Sequence, residues 1–193
     1  LKDPEGNLVG VIETLEDETE RKLAQDALLE SEQKLKSTLE GSSIPSFVIG
    51  EDHKIIYWNR ALEELSGIKG DDVIGTKKQW TAFYEKERPC MADLLVSNRP
   101  EDLPAWYGDN FAKSKLIEDA YEATEFFPDL GTYGKWLRFT AAALRDSRGF
   151  LIGAVETLED ITDRKLAEEA LRNSEMRYRR LSITDALTKL YNS

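Results

Sequence analysis

Two residue types with versatile chemistry occur once each in this chain: His53 and Cys90. His53 lies in a predicted hairpin turn, and a lone histidine excludes a catalytic dyad built on histidine and a two-histidine metal site. We therefore predict a structural or neutral role for it. Cys90 follows Arg88-Pro89, where we expect a small buried apolar side chain, with a redox-sensing thiolate assisted by Arg88 as the alternative. One cysteine also rules out an intrachain disulfide and fits a reducing compartment.

A second pattern with chemical meaning is an acid and a hydroxyl two positions apart, Asp160 and Thr162, followed by Arg164. It belongs to a segment that the chain contains twice. Aligned without gaps, Leu1–Ser37 and Leu144–Arg180 are identical at 19 of 37 positions. Each copy has a strand-like half, an E-D-x-T junction and a charged helix. This long period indicates a repeated domain rather than a solenoid, whose repeats are roughly 20–50 residues long.

The charge balance limits the classes of partner. Asp and Glu number 37 against 26 Lys and Arg, which gives a net charge of −11. Nucleic acid and anionic membranes require a basic face, so we expect neither as a partner. No run approaches the roughly 18 apolar residues of a membrane span. The sequence therefore predicts a cytoplasmic segment without membrane contact, although the parent protein could carry an anchor upstream.

The helical half of each copy carries a heptad seam. It holds Ala24, Leu28, Ser31, Leu35 and Thr38 in the first copy and Ala167, Leu171, Ser174, Tyr178 and Leu181 in the second. Small and polar members at core positions predict a marginal coiled coil, and the recurrence favours a parallel homodimer. A solvated surface helix is the alternative.

Between the copies lies a complete set of short elements. Ser46–Ile49 and Lys54–Trp58 read as a hairpin, Asn59 as a helix cap and Gly67 as the glycine that ends that helix. Lys77–Glu87 and Pro89–Val96 are predicted as short helices, and Phe111–Ala123 as a longer one. Strand segments follow at Glu125–Phe127, Lys135–Leu144 and Phe150–Leu158.

Taken in this order, the elements resemble a PAS sensory domain with its PAC-type C-terminal part. The front of the match is PSFVIGEDHKIIYWNRALEELSGIKGDDVIG, and its end is the D-x-T junction. The resemblance covers roughly Leu35–Arg164. It implies an α+β fold: a five-stranded antiparallel sheet with helices on one face around a small cavity, flanked by N- and C-terminal signalling helices. It also implies that Asp160, Thr162 and Arg164 relay a signal to the outgoing helix.

The resemblance further suggests where a small ligand would bind. The segment from Gly75 to Phe111 is long for the family and rich in aromatic residues and proline, and long loops in compact domains are usually functional or disordered. As alternatives to ligand contact we weigh core packing for the aromatic residues and surface or ion-pair roles for the charged ones. The expected ligand-binding residues are Trp80, Arg88, Cys90, Glu118, Glu122, Phe126, Trp136 and Arg138.

Bound cofactors of the family do not match these residues. Haem-binding PAS domains mostly use a histidine on the helix that corresponds to Phe111–Ala123, where this sequence has none; Cys90 as an axial ligand is the remaining route. Flavin photosensors of the fold carry an Asn-Cys-Arg motif that is absent here. Haem and flavin are therefore not expected, the cofactor stays unknown, and no metal site is predicted.

The last residues resemble a different family. Asp185, Leu187, Thr188, Leu190 and Asn192 match the D-x-L-T-x-L-x-N opening segment of GGDEF domains, which make cyclic di-GMP from two GTP molecules. No catalytic segment is present, so this chain is not expected to be an enzyme, although its parent would be a diguanylate cyclase. The other interpretation of the tail is a chance amphipathic helix.

The organisation predicted from these patterns has five parts. A strand fragment of a preceding PAS domain (1–18) leads to a signalling helix (19–40), a PAS domain (41–161), a second helix (162–181) and the start of a GGDEF domain (182–193). The predicted function is sensory, with a signal passed through coiled-coil helices to a cyclase. A ligand-free PAS module that only dimerises is the alternative.

Overall fold

The computed structural model describes residues 4–7, 18–115 and 117–183. The strand predicted over Leu8–Leu15 and the GGDEF-like residues after Ile183 lie outside these ranges. Helix α1 spans Thr19–Glu40, contains no Gly or Pro, and belongs to a unit separate from residues 42–193. None of its residues is buried, and the seam residues Leu28 and Leu35 are both more than half exposed.

Six strands form one antiparallel sheet in the described part of the chain, with the order β2-β1-β6-β5-β4-β3. Alternation along β5 places Leu137, Phe139 and Ala141 on the buried face and leaves the intervening side chains partly exposed, as the two-residue period of a strand requires. The strands are β1 Ser46–Gly50, β2 Ile55–Trp58, β3 Phe111–Lys113, β4 Ala120–Phe127, β5 Lys135–Arg145 and β6 Leu151–Asp160.

Short helices connect β2 to β3 and cover the inner face of the sheet. Asn59 caps the first of them, because its side-chain oxygen accepts the N–H of Leu62 at 3.0 Å. Gly67 ends it with a φ of 74°, as predicted. The helices are α2 Arg60–Ser66, α3 Gly70–Val73, α4 Met91–Val96 and α5 Leu103–Tyr107, with single 3₁₀ turns at Gln79–Ala82 and Pro100–Asp102.

Two of the predicted helices are wrong. The segment Phe111–Ala123 forms edge strand β3, a turn and the start of β4, with Phe111 paired to Ala123. Its apolar residues suit a helix, but every residue of β4 pairs with a residue of β5, and Asp119 turns the chain into β4 with a φ of 54°. The sheet thus has one strand more than the five implied. Within Lys77–Glu87 only the turn Gln79–Ala82 is helical, whereas Pro89–Val96 does contain α4.

Aromatic rings fill the space between the helices and the sheet. Phe127 lies 6.1 Å from both Phe83 and Phe139, and Tyr107 lies 5.7 Å from Phe139 (ring centroids). All six residues of α4 are buried against the sheet. The last element, α6 (Thr162–Ile183), leaves the sheet directly after β6. No helix in the described ranges is both long and apolar enough to cross a membrane.

Candidate functional site

A buried carboxylate lies where α4 meets the sheet. Ala154, Glu156 and Leu158 alternate onto the inner face of β6, so that Glu156 is only 3% exposed. Its carboxylate accepts the N–H of Ala92 in the first turn of α4 at 2.8 Å. Burial raises the pKa of Glu156 to about 7; the bond from Ala92 opposes this rise and the neighbouring Asp93 adds to it. A buried carboxyl group of β6 thereby supports the N-terminus of α4.

Asp93 organises a second buried polar group around α4. One carboxylate oxygen accepts Nε2–H of Gln79 at 2.7 Å and Nδ1–H of His53 at 2.9 Å, while the other accepts the N–H of Cys90 at 2.9 Å. Gln79 is itself 2% exposed, and no described residue offers its Oε1 a partner. The structural role predicted for His53 is thus to join the β1–β2 turn to α4.

Above this network a cleft of about 470 Å³ opens at the surface. Two tryptophans, Trp80 and Trp106, contribute to its walls, and the buried face of Asp93 contributes to its floor. The lining residues are His53, Lys77, Gln79, Trp80, Glu87, Arg88, Pro89, Asp93, Leu94, Ser97, Arg99, Asp102 and Trp106.

Arg88 is a cation of this cleft whose guanidinium is held by several neighbouring groups. Its guanidinium lies 4.0 Å from the ring centroid of Tyr84 and 5.2 Å from those of Trp106 and Tyr107. One NH₂ group donates to the carbonyl of Trp106 at 3.2 Å. Its Nε is buried without a partner, and no carboxylate in the described chain forms an ion pair with it. Arg88 is therefore a positioned cation without an ion pair in the described chain, and the acid that senses its charge is the buried Glu156, whose pKa it lowers.

Cys90 lies beneath the cleft rather than in it. The residue is 1% exposed, and burial raises the pKa of its thiol well above the usual value, with Glu156 and Asp93 adding to the rise. A reactive thiolate needs the opposite environment. The structure therefore favours the small apolar side chain over the redox-sensing thiolate.

The other residues expected to bind a ligand lie elsewhere. Glu122 and Arg138 border a shallow depression of about 300 Å³ on the sheet, and Glu118 is exposed in the β3–β4 turn. The tilted rings of Phe126 and Trp136 contact each other with centroids 5.4 Å apart, away from the aromatic core. The structure thus brings together Trp80 and Arg88, with Cys90 directly below, and separates these five from them.

The junction residues meet at the start of α6. Asp160 accepts hydrogen bonds from the hydroxyl of Thr162 at 2.6 Å and from Nζ of Lys135 at 2.7 Å. The N–H of Trp136 in turn donates to the Thr162 hydroxyl at 3.0 Å. Partial burial acts to raise the pKa of Asp160, but the bonds from Lys135 and Thr162 outweigh it and lower this pKa. Arg164 is not part of the junction; it lies 3.8 Å from Glu168 along the helix.

A row of three side chains accompanies this junction. The ammonium of Lys165 in α6 lies 5.5 Å from the ring centroid of Trp136, and the Trp136 ring contacts the Phe126 ring at an interplanar angle of 47°. Gly134 leaves room for the Phe126 ring: with a φ of 75°, an added Cβ would collide with Cζ of Phe126. The start of α6 is therefore bonded and packed to the β4–β5 end of the sheet.

Three polar residues of the site were not predicted: Gln79, Asp93 and Glu156. A signal existed for Glu156, because it falls on the inward positions of a strand that otherwise alternates Ala154 and Leu158. Gln79 and Asp93 lie in short helical turns whose inward faces no periodicity defines. No group of three or more His, Cys, Asp or Glu residues within the described ranges is arranged to hold a metal ion.

Three solved structures are similar to this chain to different degrees. An RNA-binding light-oxygen-voltage receptor aligns with 78% of this chain at 19% identity and a TM-score of 0.52; this chain spans 38% of that receptor's length. The PAS domain of BvgS from Bordetella pertussis aligns with 76% at 15% identity and a TM-score of 0.45, and 98% of it is covered. A sensory box histidine kinase from Vibrio cholerae aligns with 72% at 16% identity and a TM-score of 0.41, with 98% of it covered.

The family assignment comes from the sequence itself. No curated protein matches the chain. A family model described as PAS domain matches residues 44–163, which is more than half of the chain and includes the whole sheet, the cleft and the Asp160–Thr162 junction. The chain belongs to the PAS domain family of sensory, non-catalytic signalling modules.

Proposed function

We propose that this chain is the sensory PAS module of a cytoplasmic multidomain signalling protein, and that it passes the state of its core to α6. The observation that carries the proposal is the junction, where the hydroxyl of Thr162 bonds both Asp160 and the backbone of Trp136. The first turn of α6 is thereby tied to two strands. A displacement of either strand changes the position or orientation of the helix.

A continuous route connects the cleft with this junction. Asp93 contributes to the cleft and lies in α4, and Glu156 bonds the first turn of α4 to β6. Four residues further along the same strand is Asp160. A ligand that repositions α4 would therefore act on the strand that ends in the junction. The ligand must bind the two states with different affinity for such a shift to occur.

For the output we propose a diguanylate cyclase. The GGDEF-like residues 185–192 follow α6 directly in sequence. Joining two GTP molecules requires two cyclase domains that face each other, so their mutual orientation would set activity. The exposed seam residues Leu171 and Tyr178, together with those of α1, support a parallel homodimer that could hold two such domains.

The test replaces Asp160 with Ala in the full-length parent and measures cyclic di-GMP synthesis, because the carboxylate holds both Thr162 and Lys135. We expect basal synthesis and its response to stimulus to change. Asp163→Ala is the matched control, since Asp163 is an exposed acid in the same helical turn that makes no junction bond. Wild-type basal and stimulated activity in Asp160→Ala would contradict the relay.

A ligand-free dimerisation module is the second candidate. The observation that favours it is the filling of the core by Phe83, Phe127, Phe139 and Tyr107. Native mass spectrometry separates the two functions. A dimer mass without bound small molecule, unchanged by any metabolite that is added, favours the dimerisation module; a co-purifying ligand favours the sensor.

A further inference from the structure

We propose that the cleft lined by Trp80, Arg88 and Trp106 binds a small organic carboxylate that also carries an amine or hydroxyl group. The inference rests on the proposed sensory function and names the class of its ligand. It concerns a site at the surface, between the β1–β2 turn, the Gln79–Ala82 turn and α4, rather than the aromatic interior.

The first argument is the state of Arg88. Three aromatic rings and the carbonyl of Trp106 fix its guanidinium, yet no carboxylate of the described structure forms an ion pair with it. A guanidinium presents five N–H donors in a rigid fork that matches a carboxylate. Because the side chain is already ordered, a ligand would gain its charge-assisted hydrogen bonds without ordering it first.

The second argument is the balance of the remaining charges in the cleft. Arg99 is paired with Asp102 at 2.5 Å, and both carboxylate oxygens of Asp93 accept hydrogen bonds within the protein. Lys77 and Glu87 line the same cleft and form no ion pair within the part of the chain that the structure describes. The hydrogen bonds from the Gln79 amide and the Cys90 N–H do not cancel the charge of Asp93, so the cations Arg88 and Lys77 face the carboxylates of Glu87 and Asp93. An acid that also carries an amine matches this even balance better than a dianionic phosphate does.

The third argument is the side-chain amide of Gln79, which is almost completely buried. Its Nε2 donates to Asp93 at 2.7 Å and lies 3.4 Å from the carbonyl of His53. The opposite amide orientation would place Oε1 against these two acceptors, so the orientation is fixed and Oε1 is left without a donor. An unpaired buried acceptor is unfavourable because it has lost its hydrogen bonds to water without replacement. An amine or hydroxyl of the ligand would satisfy it.

The walls and the size of the cleft define the rest of the ligand. Trp80 and Trp106 supply flat apolar surfaces, and Trp106 is 42% exposed in the described structure. A volume of about 470 Å³ lies within the usual range for small-molecule sites, roughly 300–1,000 Å³. The site therefore fits a compact amino or hydroxy acid with an apolar or aromatic body.

The experiment measures binding to the full 193-residue chain by isothermal titration calorimetry. The probes are amino acids and hydroxy acids, the carboxamide of each, the same acids without amine or hydroxyl, and phosphate monoesters of similar size. We expect at least one acid to bind and its carboxamide to bind about tenfold more weakly or worse. The variants Arg88→Gln and Lys77→Gln should weaken binding, whereas the adjacent Lys78→Gln, outside the cleft, should not. Gln79→Met should remove the preference for acids that carry a donor.

Several outcomes would overturn the inference: no acid binds, carboxamides bind as tightly as acids, phosphate monoesters bind in place of acids, or neither Arg88→Gln nor Lys77→Gln weakens binding. If Arg88→Gln does not fold, two other comparisons test the inference. One sets Lys77→Gln against Lys78→Gln, and the other sets each acid against its carboxamide. If no acid binds but Asp160→Ala alters cyclic di-GMP synthesis, only the ligand inference is contradicted. If an acid binds but Asp160→Ala keeps wild-type synthesis, the relay is contradicted instead.

Discussion

Thr162 and Trp136 are joined by a hydrogen bond that crosses from the first residue of α6 to the second residue of β5: the Trp136 N–H donates to the Thr162 hydroxyl at 3.0 Å. The carbonyl of Trp136 also accepts the N–H of Ile161 at 2.9 Å. Both backbone groups of one strand residue are therefore bonded to the chain that enters the helix. The start of α6 is a continuation of the sheet's hydrogen bonding.

Replacing Thr162 with Val should weaken this attachment. Val keeps the shape of the side chain but leaves the Trp136 N–H without an acceptor, which we expect to lower the free energy of unfolding by about 1–2 kcal/mol. Amide hydrogen exchange at Trp136 should accelerate more than exchange in α2. Thr162→Ser, which retains the hydroxyl, is the control; equal loss of stability in both variants would mean that the methyl group, rather than the bond, matters.

Stability should fall with rising pH because of Glu156. Its pKa is raised from the usual 4.5 to about 7, so the folded chain binds the proton more tightly than the unfolded chain does. The protonated Glu156 therefore contributes to the free energy of unfolding. That contribution is fully present below about pH 4.5 and is lost as the pH rises through about 7. The charged or titratable neighbours of Glu156 are Asp93, Arg88, Tyr84, Cys90 and Tyr107.

The variant that checks this dependence is Glu156→Gln, which keeps an acceptor for Ala92 without a titratable group. Urea unfolding at pH 5 and pH 8 should show a smaller loss of stability in the variant than in wild type. Glu159→Gln, an exposed position on the same strand, should retain the wild-type slope. If the stability of Glu156→Gln depends on pH as steeply as that of wild type, another titratable group causes the dependence.

Gly134→Ala should be more destabilising than alanine at another glycine of positive φ. Gly149 has a φ of 86° and nothing within 4 Å of an added Cβ. Gly149→Ala should therefore lower the free energy of unfolding only by the backbone strain, about 1–2 kcal/mol. At Gly134 the same backbone cost is joined by contact with the Phe126 ring and with the carbonyl of Phe127 at 3.1 Å, which should add about 1–3 kcal/mol. Thermal unfolding of the two variants measures the difference; equal losses would show that Phe126 moves aside freely.

The seam of α6 should determine the oligomeric state. Leu171→Asp introduces a charge at a predicted core position of the coiled coil, so we expect sedimentation to shift from dimer towards monomer. Met176→Asp is the matched control, since Met176 is also exposed and lies off the seam. If wild type is monomeric, or if both variants dimerise as it does, α6 does not mediate the association.

Local chemistry was sufficient to predict part of the fold. The hairpin β1–β2, the Asn59 cap, the terminal glycine Gly67 and α4 each depend on residues close together in sequence. The helix predicted over Phe111–Ala123 failed because its apolar spacing is compatible with two structures. Pairing of β4 with β5 decided between them, and that pairing involves residues distant in sequence.

The candidate site was predicted in part for the same reason. Trp80 and Arg88 stand out by residue type, and they do share a cleft. Phe126 and Trp136 look equally suitable in sequence, but strand alternation turns them away from the aromatic core. Strand alternation marks Glu156 as an inward residue, but its partner became identifiable only once α4 was placed on β6, because Ala92 is 64 positions away.

The strand order has a consequence for how this domain is made. β1 lies between β2 and β6, and Ser46 of β1 pairs with Thr157 of β6, roughly 110 positions later. During synthesis one edge of the first hairpin therefore stays unpaired until nearly the whole domain has left the ribosome. Unpaired strand edges are prone to aggregation and incorrect pairing. When β6 arrives it joins β1 to β5 and brings Glu156 beneath α4 in one event. A nascent chain that ends before Leu151 lacks the strand that unites the two halves of the sheet, so the fold is completed only when its last strand has been made.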